Sequence, residues 1–460
     1  MPSPFELPLR AAAAAAFDHL NGLDQRSVAA RARLGDLRER LAKPLSSTGV
    51  PAEQVIRELV ADVEGGIMGN AGGRFFGWVV GGALPSALAA DWLASAWDQN
   101  AALYAGAPAA AVVEEVVGEW IKDLLGLPPH ASFALVTGCQ MAHVTCLAAA
   151  RHWLLEKCGW DVEERGLAGS PPIRILSNTE WHGSFERAVR LVGLGKRAIQ
   201  PLATNELGEL TPETLAAALA ESPGTPTIVL LQAGDLHMGA MDPFYKLIPI
   251  AREAGAWVHV DGAFGLWARA TRRFAHLLAR ADRADSWATD GHKWLNVPYD
   301  CGYAFVAHPE AHRAAMSHRA AYFEGSEQAR DQMDWGPEWS RRARGFATYA
   351  AIRELGVGGI ADMVERCCDH AAALVKGIGE LPHTEVVWSP TINQGMVRFF
   401  NSDERTDEVI SLVQANGHAF FGRSTFRGRR VMRVSVCNWQ TTGHDVELSI
   451  ESVYRAIMAV

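Results

Sequence analysis

The chain has 460 residues, of which 48% are hydrophobic and 21% charged, a composition typical of a folded soluble protein. Its net charge of −9 and its lack of a basic tract argue against nucleic acid or an anionic membrane surface as a partner. Seven scattered cysteines without a C-x-x-C pair indicate reduced thiols and a cytoplasmic protein, and the most apolar stretch, residues 101–113, is too short to span a membrane.

The predicted elements divide the chain into three parts. Residues 1–60 form an N-terminal helical segment that breaks at Pro44. Short apolar runs then alternate with helical stretches, which is typical of βαβ units around a buried, mostly parallel sheet. We therefore predict an α/β fold, with a large domain over residues 61–310 and a smaller α+β domain over residues 311–460. The strands predicted in the large domain are 133–137, 173–177, 227–232, 257–261 and 286–289.

The link from the strand at 133–137 to the next helix is Gly138-Cys139-Gln140. Backbone N–H groups at the start of a helix form a natural phosphate site, although a plain tight turn is the alternative. Cys139 is also a candidate nucleophile, but no base is evident beside it in the sequence. After the strand at 173–177, His182 is either a site residue or a histidine that caps a helix.

Asp261 ends the predicted strand 257–261, and open α/β sheets bind their ligands at this end of the strands. A buried carboxylate requires a positive partner, and a protonated pyridinium nitrogen is such a partner. The alternative is an aspartate that caps the following helix. His259 points to the same face as Asp261, which would suit half of a metal site. No third ligand follows at a suitable spacing, so we predict no metal.

A lysine stands in the polar turn after the last of these strands, within Asp290-Gly291-His292-Lys293-Trp294. Partial loss of water around its ammonium group would favour the neutral amine, which condenses with aldehydes. The alternative is a surface lysine whose stem lies over Trp294. Lys293 is therefore the candidate nucleophile, with Asp261 as the candidate partner of a cationic ring.

Together these motifs resemble the group II amino-acid decarboxylases, which depend on pyridoxal 5′-phosphate (PLP) and have the aspartate-aminotransferase fold (fold type I). They are most similar to the aromatic-L-amino-acid decarboxylase relatives, over residues 60–440. The resemblance implies that Lys293 holds PLP as a Schiff base, that Asp261 holds the ring nitrogen and that His182 stacks on the ring. It also implies cofactor contacts from Gly138, Cys139, Gln140, Gln232, Ala263, Asp290 and His292.

The resemblance further implies a lyase that decarboxylates an amino acid as its small-molecule substrate and acts as a homodimer. Exposed aromatic residues would form part of the dimer interface, and the candidates are Phe75, Phe76, Trp78, Trp92 and Trp97. Other PLP reactions remain open, namely decarboxylative aldol addition, oxidative deamination to an aldehyde, and transamination. A nicotinamide-binding enzyme is disfavoured, because this sequence has no G-x-G-x-x-G after its first strand. A non-catalytic binding protein that kept the fold stays open: Lys293 and Asp261 argue against it, whereas Gln232 and Gln332 allow it.

Cys139, Gln140 and His143 depart from the residues that the family usually has at the predicted phosphate site, and two further positions depart from its pattern. Gln232 stands where a threonine approaches the cofactor, and our alignment places Gln332 where a loop tyrosine protonates the product carbanion. Because glutamine is not a general acid near neutral pH, we expect slow amine release unless Tyr322 or His237 supplies the proton. A carbanion that lives longer would instead react with O₂ or an aldehyde.

Overall fold

The computed structural model describes residues 3–318 and 329–460, which form two β-sheets with helices packed around them. Within these ranges no helix combines the length and the apolar character needed to cross a membrane. The strands are β1 (Phe75–Phe76), β2 (Ser132–Val136), β3 (Arg174–Asn178), β4 (Ile199–Leu202), β5 (Thr227–Gln232), β6 (Trp257–Asp261), β7 (Ser286–Asp290), β8 (Gly302–Val306), β9 (Thr384–Trp388), β10 (Gln394–Phe399), β11 (Phe420–Phe426) and β12 (Arg429–Ser435). The α-helices are α1 (Glu6–Asn21), α2 (Leu34–Leu41), α3 (Ala52–Asp62), α4 (Pro85–Trp97), α5 (Pro108–Leu125), α6 (Cys139–Glu156), α7 (Val162–Arg165), α8 (Gly183–Leu191), α9 (Pro212–Ala220), α10 (Phe244–Glu253), α11 (Pro309–Met316), α12 (Gly345–Gly379), α13 (Asp403–Asn416) and α14 (Gly443–Met458).

The larger sheet has the strand order β2-β8-β7-β6-β5-β3-β4. Strands β7, β6, β5, β3 and β4 are parallel, whereas β8 runs antiparallel to both of its neighbours. Successive residues of β5 alternate between two cores: Val229 and Leu231 pack on one side of the sheet, and Ile228 and Leu230 on the other. A strand buried on both faces reads as a continuous apolar run, which is why the sequence predicted this mostly parallel sheet correctly.

Three neighbouring parallel strands end in polar residues at the same edge of this sheet. Gln232 is the last residue of β5, Asp261 of β6 and Asp290 of β7. Gln232 and Asp261 are directly paired in register. Since parallel strands share one carboxyl edge, the fold brings together three side chains that are about 30 residues apart in sequence.

The smaller sheet has the order β1-β11-β12-β10-β9 and takes its first strand from the early part of the chain. Phe75 and Phe76 pair in parallel with Phe420 and Phe421, and the two ring pairs stack with centroids 4.8 and 5.1 Å apart. Phe75 and Phe76 are therefore buried inside the chain, and their expected exposure at a dimer interface is wrong. The domain boundaries predicted at residues 60 and 310 stay a prediction.

The part of the chain that leads into α12 is held by a buried ion pair, and α12 itself is broken at one residue. The guanidinium of Arg341 lies 2.7 and 2.9 Å from the two carboxylate oxygens of Glu114 in α5. The α12 helix is interrupted at Gly356, whose φ of 60° suits glycine and disfavours other residues. The two helices that the sequence pattern predicts at 344–355 and 360–380 thus follow one another directly.

Candidate active site

A cavity of about 430 Å³ lies at the carboxyl edge of β5 and β6, against the smaller sheet. Five of the residues singled out in the sequence line it, and they are His182, Gln232, Asp261, Ala263 and Lys293. The other lining residues are mostly aromatic or apolar, with two charged side chains among them: Trp78, Val79, Val80, Glu180, Gly234, Leu236, Phe264, Tyr299 and Arg433. The cavity is large enough for a small organic ligand.

Lys293 lies at this cavity with its Nζ 3.1 Å from Oδ2 of Asp290, and its side chain is only 20% exposed. Trp294 is fully buried, so the alternative of a surface lysine is wrong. Burial alone would lower the pKa of Lys293, but the charges of Asp290 and Asp261 raise it above its ordinary value. Loss of water thus favours the neutral amine, as expected, whereas the neighbouring carboxylates favour the ammonium form.

Asp261 is buried, and its carboxylate is held from two sides. The Ala263 backbone N–H donates to Oδ1 at 3.1 Å, and Nε2 of His143 lies 3.4 Å from Oδ2. Burial by itself would raise the pKa of Asp261, but His143 and Lys293 lower it below its usual value. The carboxylate is thus ionised, and it does not cap an α-helix, since the next helical turn begins only at Gly265.

His143 is a site residue that sequence reasoning missed, having noted only that α6 departs from the family pattern there. Its spacing of four residues from Cys139 was the available signal, because such residues share one face of a helix. Cys139 Sγ lies 3.5 Å from His143 Nε2, so a base does stand beside the thiol. Burial and the charges of Asp261 and Asp290 nevertheless raise the pKa of Cys139 well above its ordinary value. The thiol is protonated and a poor nucleophile.

The tertiary structure also brings together three possible metal ligands, a group that their spacing in the sequence did not reveal. The ligand atoms of Cys139, His143 and Asp261 all lie within 4.8 Å of one another. His259, which would have suited half of a metal site, instead places Nε2 2.8 Å from Nδ1 of His143. A protonated thiol is not a metal ligand until it loses its proton, and the absence of a metal stays a prediction.

The predicted phosphate site adjoins the cavity through Asp290. The Cys139 N–H donates to Oδ1 of Asp290 at 2.6 Å, at the first turn of α6. His292 lies on the other side, with Nε2 3.4 Å from the same Oδ1 and Nδ1 accepting the Cys301 N–H at 3.1 Å. A Cβ on Gly138 would approach His292 to 3.0 Å, so the turn and this ring are close neighbours. Gly138, Cys139 and Gln140 are not lining residues of the cavity itself.

His182 has both of the properties that its sequence position left open. It is the N-cap of α8, where the Ser184 N–H donates to Nδ1 at 3.2 Å, and it also lines the cavity. Burial and the nearby charge of Lys293 lower its pKa. The imidazole is therefore neutral near pH 7, and its proton resides on Nε2 because Nδ1 accepts a hydrogen bond.

Arg433 is the second residue that the sequence analysis missed, although it is a charged residue at a buried position of β12. It lines the cavity, and its Nη2 donates to Oε1 of Gln394 at 3.2 Å. Its Nε is buried without a hydrogen-bond partner among the described residues. Burial lowers its pKa to about 10, which still leaves a cation at neutral pH. A buried cation of this kind is suited to an anionic ligand.

Gln332, which our alignment places at the position of the loop tyrosine, lies away from the cavity, and its replacement of that tyrosine stays a prediction. Gln332 is buried, donates from Nε2 to the Ala111 carbonyl at 3.3 Å and accepts a hydrogen bond from Arg330, so it does not line the cavity. Tyr322 lies outside the described residues. His237 has both nitrogens engaged, with Glu180 Oε2 at 3.1 Å and Ser424 Oγ at 2.8 Å. The expectation of slow amine release therefore loses its main support.

Comparison with known proteins decides the class of enzyme. Residues 35–400 match the pyridoxal-dependent decarboxylase conserved domain. The chain belongs to this decarboxylase family. It is 25% identical to phenylacetaldehyde synthase of Petunia hybrida over 362 residues, 75% of this chain and 70% of that protein. It is 23% identical to aromatic-L-amino-acid decarboxylase of Bacillus atrophaeus over 444 residues, 93% of this chain and 90% of that protein.

The fold of this decarboxylase matches the crystal structure of Oryza sativa TDC with PLP and tryptamine, with a TM-score of 0.91. Sequence identity in that match is 22%, and it covers 98% of this chain and 97% of the other. These comparisons confirm the predicted family, the fold, the PLP-dependent lyase class and PLP as the cofactor.

The residues at the cavity fit this cofactor. PLP carries an anionic phosphate and a phenolic oxygen, and its ring nitrogen binds a carboxylate when protonated. The buried Nε2 of Gln232 and Nε of Arg433 are N–H groups without a partner among the described residues, and both side chains line the cavity. Asp261 adds the carboxylate and Lys293 the amine. The decarboxylase thus has donors for oxygen atoms, an acceptor for a ring nitrogen and an amine for an aldehyde in one place.

Proposed function

We propose that this decarboxylase removes the α-carboxylate of an L-amino acid with an aromatic or other apolar side chain, and that Lys293 holds PLP through a Schiff base. The observation that carries the proposal is the shared cavity of Lys293, Asp261 and Arg433. Trp78, Phe264 and other apolar residues line the same cavity and would accept an apolar side chain. Relatives named for aromatic amino acids support the same substrate class.

When bound, PLP takes up the electron pair that is released as the bond from Cα to the carboxylate breaks. In the proposed arrangement, Asp261 accepts a hydrogen bond from the ring nitrogen and keeps it protonated. Asp290 holds the Lys293 ammonium at 3.1 Å and fixes the position of Nζ. His182 offers a neutral ring face to the cofactor. Together these residues orient the cofactor and the amine before the substrate enters.

Arg433 is proposed to bind the substrate carboxylate, since it is a buried cation whose Nε has no hydrogen-bond partner among the described residues. After CO₂ leaves, Cα requires a proton. Lys293 Nζ and the phenol of Tyr299 are proton donors at the cavity. Burial raises the pKa of Tyr299, so its hydroxyl keeps its proton near neutral pH. A site with two such donors favours release of the plain amine.

A second candidate function is formation of an aldehyde from the same substrate. It is favoured by two relatives named phenylacetaldehyde synthase and 4-hydroxyphenylacetaldehyde synthase, each 25% identical to this chain. Both reactions release CO₂, but formation of the aldehyde also consumes O₂ as the oxidant and one water molecule, and it releases ammonia and hydrogen peroxide. The two candidates therefore differ in their products and not in the first bond that breaks.

Incubation of the purified protein with each of the twenty amino acids separates these candidates. We expect CO₂ from an aromatic amino acid, with an equal amount of amine and no dependence on O₂. Aldehyde in proportion to consumed O₂ would instead establish the second candidate. Formation of a keto acid without CO₂ would contradict both, because it is the product of transamination.

We also propose that the protein acts as a homodimer. Helix α1 buries none of its residues within the chain, and Phe17 on it contacts Trp92 of α4 with ring centroids 6.3 Å apart. Phe5, Trp92 and Trp97 are exposed, so α1 and α4 present a continuous apolar surface that a second copy would cover.

Sedimentation velocity over a dilution series tests this proposal, and a dimer is expected that persists to low micromolar concentration. Trp92→Glu should weaken it, because a charge would then be buried in the interface. Trp160→Glu is the control, since that tryptophan lies on another part of the chain, beside Arg165. A monomer with full activity would overturn the proposal.

A cytoplasmic location is proposed on the basis of the cysteines. In the described structure all seven are free thiols, and six of them are buried. Free thiols persist in the reducing cytosol, whereas oxidising compartments favour disulfides. Fractionation of expressing cells checks the location, and recovery in an extracellular fraction would contradict it.

A further inference from the structure

A chain of buried side chains extends from Asp261 away from the cavity. His143 Nε2 lies 3.4 Å from Asp261 Oδ2, and His143 Nδ1 lies 2.8 Å from His259 Nε2. His259 Nδ1 is 2.8 Å from Ser286 Oγ, which in turn accepts the indole N–H of Trp257 at 2.9 Å. All five residues are buried. They come from α6, β6 and β7, so three elements of the fold converge behind one carboxylate.

The distances permit one continuous direction of donation. Trp257 donates to Ser286, the Ser286 hydroxyl to His259 Nδ1, and His259 Nε2–H to His143 Nδ1. This assignment leaves the proton of His143 on Nε2, which lies 3.4 Å from Asp261 Oδ2. Burial lowers the pKa of His259 to about 3, so this imidazole is neutral in the arrangement. Aligned hydrogen bonds strengthen one another in a medium of low dielectric constant.

The other polar groups around Asp261 have different partners. Lys293 is bonded to Asp290, and His182 accepts from Ser184 and lies at the cavity. The thiol of Cys139 is a weak donor at 3.9 Å from Oδ1. Among the lysine, arginine and histidine side chains of the described part of the chain, only His143 has a nitrogen within 4.0 Å of this carboxylate.

We propose that His143 is a positioning residue that, through the chain His259–Ser286–Trp257, holds Asp261 ionised so that the cofactor's shared proton resides on the ring nitrogen. The inference rests on the proposed role of Asp261. A proton shared by a carboxylate and a pyridine nitrogen resides on the more basic of the two groups. An N–H group that donates to the carboxylate makes the carboxylate less basic, so the proton then resides on the ring nitrogen. Burial acts in the opposite direction, because it favours the uncharged pair. The contact from His143 outweighs this effect of burial, so Asp261 stays ionised and the proton stays on the ring nitrogen.

The experiment is ¹⁵N NMR of the protein loaded with PLP that is labelled at the ring nitrogen. In the unmodified protein we expect the signal of a protonated pyridinium. In His143→Phe, the ratio of nitrogen-bound to oxygen-bound proton should fall by about 10- to 100-fold, the effect of one charge-assisted hydrogen bond. The signal should then move toward that of neutral pyridine. His143→Gln should restore it in large part, because its amide can accept from His259 and donate to Asp261.

The matched control is His152→Phe, which removes a histidine from the same helix, where it pairs with Glu163 at the far end. This control should leave the signal unchanged. If His143→Phe does not fold, Ser286→Ala supplies the measurement, with a smaller shift in the same direction. An unchanged signal in the folded His143 variants, or stoichiometric zinc held by Cys139 and His143, would overturn the inference. A neutral pyridine signal in the unmodified protein would instead overturn the proposed role of Asp261.

Discussion

Replacement of Lys293 by alanine should abolish covalent attachment of PLP and slow decarboxylation by a factor on the order of 1000 or more. Lys293 Nζ is the amine held at the cavity, and Asp290 fixes it at 3.1 Å. The same group is one of the two proton donors available to the product, so its loss removes two contributions together. Because the catalytic groups act as a unit, the loss in rate is not the sum of separate effects.

Borohydride reduction followed by peptide mass spectrometry measures this attachment directly. The unmodified protein should carry the reduced cofactor on the peptide that contains Lys293, and Lys293→Ala should carry none. Lys196→Ala is the matched control, because that lysine is exposed and pairs with Glu186 on the surface. A reducible adduct in Lys293→Ala, on any residue, would show that the assignment of the lysine is wrong.

Asp261→Asn should lower the rate by about 100- to 1000-fold, comparable to the loss of a preorganised charge at a reacting centre. Asparagine has nearly the shape of aspartate, but it carries no charge to keep the ring nitrogen protonated. Without that proton, the ring accepts electrons less readily, whereas the amine of Lys293 stays in place. Covalent attachment of PLP should therefore survive while turnover falls.

Single-turnover kinetics with the best substrate, together with borohydride reduction, distinguish this result from simple loss of the cofactor. Asp282→Asn serves as the control, since that carboxylate is exposed on a surface turn. An Asp261→Asn protein with normal turnover would mean that another group holds the ring nitrogen. Loss of both turnover and attachment would indicate that Asp261 is needed to retain the cofactor at all.

Local patterns in the sequence were sufficient to predict the parallel strands of the large sheet. The strands Thr227–Gln232 and Trp257–Asp261 have the predicted bounds, because strands buried on both faces leave continuous apolar runs between helical stretches. The turn with Lys293 and the strand end with Asp261 were recognisable for the same reason, since each is a polar residue at the end of such a run. Their proximity followed from the rule that parallel strands share a carboxyl edge.

Only the tertiary structure decided which distant side chains meet and what their charges become. It placed His143 and His259 in contact, put Arg433 at the cavity, buried Phe75 against Phe420, and removed Gln332 from the site. The charge state of Lys293 also depended on carboxylates supplied by other strands. Sequence patterns report the local conformation and the apolar face of each element. Contacts and pKa shifts arise from packing between elements, so residues far apart in the chain determine them.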